Sequence, residues 1–172
     1  MASIFGHGLV GFTLVKIAKG KTNKLLLFLA IGSALVPDLD VITFGKIPYS
    51  HPFGHRGFTH SIVFALLWAT VLSFIFTKTK KKLFFIVIFL SKLSHGVLDA
   101  ITTGGRGVGF FIPFNNERFF FPWKVIKVSP IGISEFFSSW GMQVILNELK
   151  YIGIPCLIVL LFLHYKNKDN GH

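Results

Sequence analysis

Acidic residues are scarce in this 172-residue chain: there are 7 Asp and Glu against 18 Lys and Arg, and charged residues of both signs make up only 15%. A soluble domain carries roughly 25% charged residues, so this chain has too few to cover a water-facing surface. Apolar residues reach 52% and mean hydropathy is +0.64, which excludes a disordered chain. The single cysteine, Cys156, lies in an apolar run, so no disulfide closes within the chain. Residues 1–15 contain no Lys or Arg ahead of their apolar stretch, and no small-x-small cleavage site follows, so a signal peptide is not expected. No G-x-S-x-G occurs and Cys156 has no base beside it, which removes the usual nucleophile patterns. The basic excess sits on an apolar scaffold. The positive-inside bias of a membrane protein explains it, and nucleic acid is not an expected partner.

What is present is a series of apolar stretches: 2–15, 25–36 (stopped by Pro37), 61–77, 83–103 (broken by Lys92, His95 and Asp99) and 151–165. Crossing the hydrocarbon core takes about 20 helical residues, which only the third and fourth stretches approach. The expected fold is all-α: a multi-pass membrane bundle of four to five helices in one domain, residues 1–172, with 104–150 as an aromatic-rich surface cap. Lys16, Lys19, Lys21 and Lys24 fill the first connector. Lys78, Lys80, Lys81 and Lys82 fill the third, and Lys166 and Lys168 follow the last stretch. Placing all three in the cytoplasm gives an alternating topology with the 37–60 loop and 104–150 outside. Phe and Trp interleave with Arg106, Arg118, Lys124 and Lys127 in 104–150, a mixture that suits the headgroup level; packing within a small cap is the plainer alternative.

Gly6-His7-Gly8-Leu9-Val10-Gly11 matches the dinucleotide fingerprint G-x-G-x-x-G, but five residues leave no room for the strand that must precede it. Close helix packing is the better use of these glycines. The chemistry concentrates elsewhere. Asp38 and Asp40 follow Pro37, and in an extended segment positions two apart point the same way, so the two carboxylates are expected to share a cation. Gly54-His55-Arg56-Gly57-Phe58-Thr59-His60-Ser61 offers two imidazoles and a guanidinium suited to phosphate. Lys92, His95 and Asp99 fall within an arc of about 60° on one helix, where ionisable groups are functional candidates. In the alternating topology His7, Asp38, Asp40, His55, His60, His95 and Asp99 all come to the outer side. That is more than the four ligands that close a structural zinc site, so two metal ions with room for water or substrate are expected.

These residues resemble the motif series of the YdjM-like, LexA-regulated inner-membrane metal-dependent hydrolases. The resemblance rests on Gly6-His7, Leu35 to Asp40, Gly54 to Ser61, Leu93 to Thr102, Gly107 to Phe114, Arg118 to Lys124 and Val128 to Ile131. It covers most of 6–155, and His-Arg-Gly-x-Thr-His-Ser is its most specific part. It implies a multi-pass metal-dependent hydrolase. The order of groups is also similar to the zinc-dependent phospholipase C and S1/P1 nuclease folds, which implies His7, Asp40, His60, His95 and Asp99 as ligands with Asp99 bridging. Those folds add a late His and Glu, whereas no His lies here between Asp99 and His164 and only Glu117, Glu135 and Glu148 are available. Two ions, most simply Zn²⁺, with Mn²⁺ or Mg²⁺ as alternatives, are expected rather than three.

The function expected is hydrolysis of a phosphoester, of a phospholipid or lipid-linked phosphate, by metal-activated water at the extracytoplasmic side of the inner membrane. Asp38 or Asp40 would orient the water, Arg56 would stabilise charge on phosphate oxygens, and Arg118 and Lys124 would hold a headgroup. The membrane lipid is the expected environment and a candidate substrate, and no protein partner is inferred. The rival class is a non-catalytic metal-binding protein or divalent-cation transporter. A transporter should carry polar residues through the depth of its spans, and 61–77 carries almost none.

Overall fold

The computed structural model describes residues 1–18 and 23–169. Lys19, Lys21 and His172 lie outside the described residues. Local capping decides where the first helices begin. Ser3 caps α1 (Ile4–Ile17), Asn23 caps α2 (Lys24–Leu35) and Ser61 caps α3 (Ile62–Phe76), each side chain accepting from a backbone N–H of the first turn. Then come α4 (Lys81–Ala100), the short α5 (Ile133–Phe136), α6 (Ser139–Glu148) and α7 (Ile154–Asp169). A π-helical turn, Leu149–Gly153, joins α6 to α7. A wider turn just before Pro155 suits a residue that has no N–H for the regular ladder.

The lengths differ from the sequence expectation in three places. The second α-helix does end just before Pro37, at Leu35, but helical winding continues past the proline. Pro37 occupies the first turn of a 3₁₀ segment, Val36–Thr43, where its missing N–H is tolerated, and Lys24–Thr43 becomes a candidate span of 20 residues. The third stretch forms only 15 helical residues, shorter than its apolar run suggested. The last stretch is lengthened by α6 to a candidate span of 30 residues, Ser139–Lys168. At 1.5 Å per residue it reaches about 45 Å, beyond a hydrocarbon core of about 30 Å. With α4, three helices are long and apolar enough to cross a membrane, while α1 and α3 are shorter apolar helices.

α1 packs on α2 and α4, α4 also meets α2 and α3, and α7 lies along α1. Lipid tails are as apolar as the side chains, so close approach rather than water exclusion holds such helices together. Gly11 shows the requirement: a Cβ there would meet Ser91 Oγ at 2.9 Å and the Ala30 carbonyl oxygen at 3.2 Å. α1 to α4 alternate in direction: contacts among His7, Asp38, His60, His95 and Asp99 bring the N-termini of α1 and α3 and the C-termini of α2 and α4 to one end of the bundle. Lys16, Lys24 and Lys81, at the other ends of those helices, lie at the opposite end. Near the lysine end the interior is Val15, Leu26, Leu29, Ala30, Ala69, Phe84, Val87 and Ile88. Residues 101–138 fold over the opposite end. Val108, Phe110, Ile112 and Ile126 are buried there, whereas Phe114, Trp123 and Phe137 stand exposed. The only pairing among the described residues is two isolated bridges, Thr102 with Ile126 and Val108 with Phe119, so the chain is all-helical.

Candidate metal centre

Four helix ends deliver one cluster. His95 and Asp99 come from the last turns of α4, His60 from the turn before α3, Asp38 from the 3₁₀ segment after α2, and His7 from the first turn of α1. Ligand atoms of Asp38, His60, His95 and Asp99 lie within 4.8 Å of one another, an arrangement that could hold a metal ion. His95 Nε2 is 3.0 Å from His60 Nε2 and 3.3 Å from Asp38 Oδ1. Asp99 Oδ2 is 3.6 Å from His60 Nε2 and 3.9 Å from His95 Nε2.

The proton positions follow from the other ring nitrogens. His95 Nδ1 lies 2.7 Å from the Ala34 carbonyl oxygen, which only accepts, so Nδ1 carries the proton. His60 Nδ1 faces Asp40 Oδ2 at 3.2 Å and Thr59 Oγ1 at 3.0 Å, and the Thr59 hydroxyl already donates to Asp40 Oδ2. His60 Nδ1 therefore donates as well. Both Nε2 atoms present lone pairs, facing each other at 3.0 Å beside two carboxylates. Four acceptors converging in a buried space repel unless a positive charge lies among them. Neither oxygen of Asp38 and neither nitrogen of His7 has a hydrogen-bond partner among the described residues, whereas Asp99 Oδ2 lies 3.0 Å from the Arg56 guanidinium. Donor types, tautomers and orphaned atoms all fit a divalent cation.

Asp40 and His55 stand behind this group. His55 Nδ1 is 2.5 Å from Asp40 Oδ1, and Asp40 Oδ2 accepts from the Arg56 backbone N–H at 2.9 Å and from Thr59 at 2.8 Å. Asp40 thus orients His60 in the way that carboxylates orient metal-binding histidines. The sequence reading put Asp38 and Asp40 on one side of an extended segment. They sit instead in a 3₁₀ helix of three residues per turn, where positions two apart diverge, so Asp38 faces His95 and Asp40 faces His55 and His60. His7 stacks on His95 at 3.8 Å between ring centroids, with Nε2 3.5 Å from Asp99 Oδ1.

Arg56 is 1% exposed and its guanidinium meets the chain's own oxygens. Nε is 3.0 Å from Asp99 Oδ2, Nη1 donates to the carbonyls of Gly104 and Asp99, and Nη2 donates to Thr102 Oγ1. Its backbone takes φ +59°, a left-handed conformation that costs a non-glycine residue on the order of 1–3 kcal/mol. That conformation lets the amide reach Asp40 while the side chain turns to Asp99. Gly105, at φ +86°, leaves the space, since a Cβ there would meet Arg56 Nη1 at 2.6 Å. Arg118 is also committed to the chain: Nη1 donates to the carbonyls of Arg56 and His55, and Nη2 to those of Tyr49 and His51. It staples the 49–56 loop. Tyr49 donates to the Gly107 carbonyl at 2.9 Å, and burial pushes its phenol above the usual range. Lys124 lies on the exposed face of the cap, its ammonium 3.9 Å from the Phe120 ring centroid. Lys92, one turn before His95, sits over the rings of Phe64 and Trp68 at 4.6 and 5.7 Å.

The sequence reading did not anticipate Thr59, Thr102 or Glu148 in supporting roles. Thr59 stood inside the most specific motif, so its position was available. Glu148, an acid just before the last apolar run, accepts from the Ser3 backbone N–H and hydroxyl, both at 2.5 Å. It fixes the N-terminal segment whose Ala2 N–H donates to Asp99 Oδ1 at 2.9 Å.

Fold and site together define a multi-pass helical membrane protein with a buried Asp/His cluster, able to hold a metal ion, at one end of its bundle. The chain matches the family model described as YdjM inner membrane protein over residues 1–170 and belongs to that family. It is 42% identical over 147 residues to the inner membrane protein YbcI of Escherichia coli (strain K12), across 83% of this chain and 85% of that protein. No solved structure matches the chain.

Proposed function

We propose that this protein is a metal-dependent hydrolase that cleaves a phosphoester, of a phospholipid or lipid-linked phosphate, at the extracytoplasmic side of the inner membrane. The observation that carries the reading is the facing pair of Nε2 atoms, His60 and His95, 3.0 Å apart between Asp38 and Asp99. His60, His95, Asp38 and Asp99 would hold the ion, and an imidazole-rich set suits Zn²⁺ better than Mg²⁺ or Mn²⁺. Bound there, the metal supplies a Lewis acid and a water acidic enough to ionise near neutral pH. Asp99 turns Oδ2 to His60 and His95 and Oδ1 to His7, so Asp99 and His7 would be the groups to hold a second ion.

The chain's own groups divide the remaining work. Asp40, backed by His55, keeps the proton of His60 on Nδ1. Arg56 holds Asp99 in place and balances its charge. Asp38, with neither oxygen hydrogen-bonded among the described residues, would take a proton from the attacking water. Lys124 is the cap cation suited to a headgroup. Lys16, Lys24 and Lys81, at the opposite end of the bundle, support the outward orientation.

The test is purification in detergent, elemental analysis, and assay of phospholipid and water-soluble phosphoesters with and without chelator. Bound zinc, with hydrolysis abolished by chelation and restored by zinc, is the expected result. Bound metal with no phosphoester cleaved, or metal-ion flux into proteoliposomes, would overturn hydrolysis in favour of binding or transport.

A further inference from the structure

A groove of about 520 Å³ opens between the N-terminal segment, the 3₁₀ segment after α2 and the loop leading into α5. Pockets of roughly 300–1,000 Å³ accommodate whole organic ligands. Ala2, Phe5, Leu39, Ile131 and Phe137 are among its lining residues, and Asp38 is its one charged side chain among the described residues. Asp38 is also the carboxylate 3.3 Å from His95 Nε2, so the groove ends on the cluster. At its rim, Phe5 is 63% exposed, Leu39 67% and Phe137 82%. Apolar groups so exposed, gathered at one groove, suit contact with lipid.

We infer that this groove admits the acyl chain of the substrate lipid laterally from the bilayer and so brings its phosphoester to Asp38. The identity of the reacting group rests on the hydrolase reading above; the occupancy of the groove by an acyl chain does not. A polar substrate arriving from water would have to desolvate against a wall that is mostly apolar, with Ser3, Asp38 and Ser129 as its few polar side chains. A lipid chain passes from one apolar environment to another at little cost, so the groove selects by shape and by tethering the headgroup at one depth. Asp38 alone would repel a phosphate; a cation held beside it would reverse that sign.

The experiment uses full-length protein in phosphatidylethanolamine–phosphatidylglycerol vesicles containing a trace of phosphatidic acid with a diazirine at its acyl methyl end. After irradiation the labelled positions are mapped by mass spectrometry, with Ile131→Trp and Leu39→Trp as two independent ways to fill the groove and metal content as the check on folding. Labelling concentrated on Phe5, Leu39, Ile131 and Phe137 is expected, falling about tenfold in either variant with metal retained. Labelling there no stronger than on Phe74 of α3 or Phe162 of α7, the exposed helix faces, overturns the groove. Hydrolysis is read separately. Groove labelling without cleavage of any phosphoester removes the hydrolase reading and leaves the groove. Metal-dependent cleavage of a water-soluble phosphoester, unaltered by the tryptophans and without groove labelling, removes the groove and leaves the hydrolase.

Discussion

One face of α4 carries two kinds of interior. Near the lysine end it buries Phe84, Val87 and Ile88; two turns later the same stripe buries Ser91, Lys92, His95 and Asp99. The first half is held by dispersion between fitted apolar surfaces. The second half makes no sense by that rule, because ionisable groups inside a bilayer are costly unless something compensates them. α2 repeats the change, from Leu26, Leu29 and Ala30 to Asp38 and Asp40 in the turns that follow it. A helix can therefore be regular along its whole length while its two ends answer to different requirements, packing at one and ligand geometry at the other.

Asp99→Ala should separate the halves most sharply. It removes the carboxylate that faces His7, His60 and His95 and leaves Arg56 buried without its charge partner. Breaking a buried ion pair by one partner typically costs about 3–5 kcal/mol. The expected outcome is loss of bound metal by elemental analysis, no hydrolysis, and a large fall in Tm in detergent. Arg56→Ala should follow it, losing metal as well as rate, since its donors serve the chain. Retention of full metal with loss of rate alone would return Arg56 to the phosphate-binding role that the sequence suggested.

Phe84→Ala is the matched cut in the other half. Phe84 is 1% exposed, and truncating such a residue costs about 3–5 kcal/mol. Stability should fall by an amount similar to that for Asp99→Ala while metal stoichiometry stays intact. If metal is lost too, the two ends are not independent and the contrast fails. A smaller effect is expected for Asp40→Asn. The amide can still accept from the Arg56 N–H and from Thr59, but it attracts the His60 Nδ1 proton less strongly. Groups that orient metal-binding histidines are worth about 10–100-fold in metal affinity, so zinc titration should show weaker binding at unchanged stoichiometry. Unchanged affinity would mean that His60 is held by Thr59 alone.

These halves were not equally legible beforehand. The alternation of lysine connectors and the gathering of His and Asp on one side needed only spacing and charge, and the all-helical bundle followed from the apolar runs. The relation of Asp38 to Asp40 did not, because Pro37 can end a helix or open a 3₁₀ turn and the choice between them rotates one carboxylate away from the other. Arg118 was legible as a cation but not as a staple, since its acceptors are four backbone carbonyls with no residue signature. The 30-residue span was hidden because Gly141, Asn147, Glu148 and Lys150 interrupt its apolar pattern. Glu148 is polar there for a reason outside that helix: it holds Ser3 of the N-terminal segment.

The smallest effect should come from the outermost group. Lys124 touches neither interior; its ammonium lies over the Phe120 ring on the exposed cap. An exposed cation–π contact is worth about 0.5–1 kcal/mol, so Lys124→Ala should leave Tm and metal content nearly unchanged. If the cap meets an anionic headgroup through Lys124, the variant should raise KM severalfold with kcat retained, because the lost contact is made equally before and during the reaction. The loss should shrink with added salt, as screening acts on exposed charges. A fall in kcat at constant KM would instead place Lys124 at the reacting phosphate, and the cap would have to be read as part of the metal-binding half. No change in either constant would leave the cap cation without a share in substrate binding, and headgroup recognition would then fall to groups nearer Asp38.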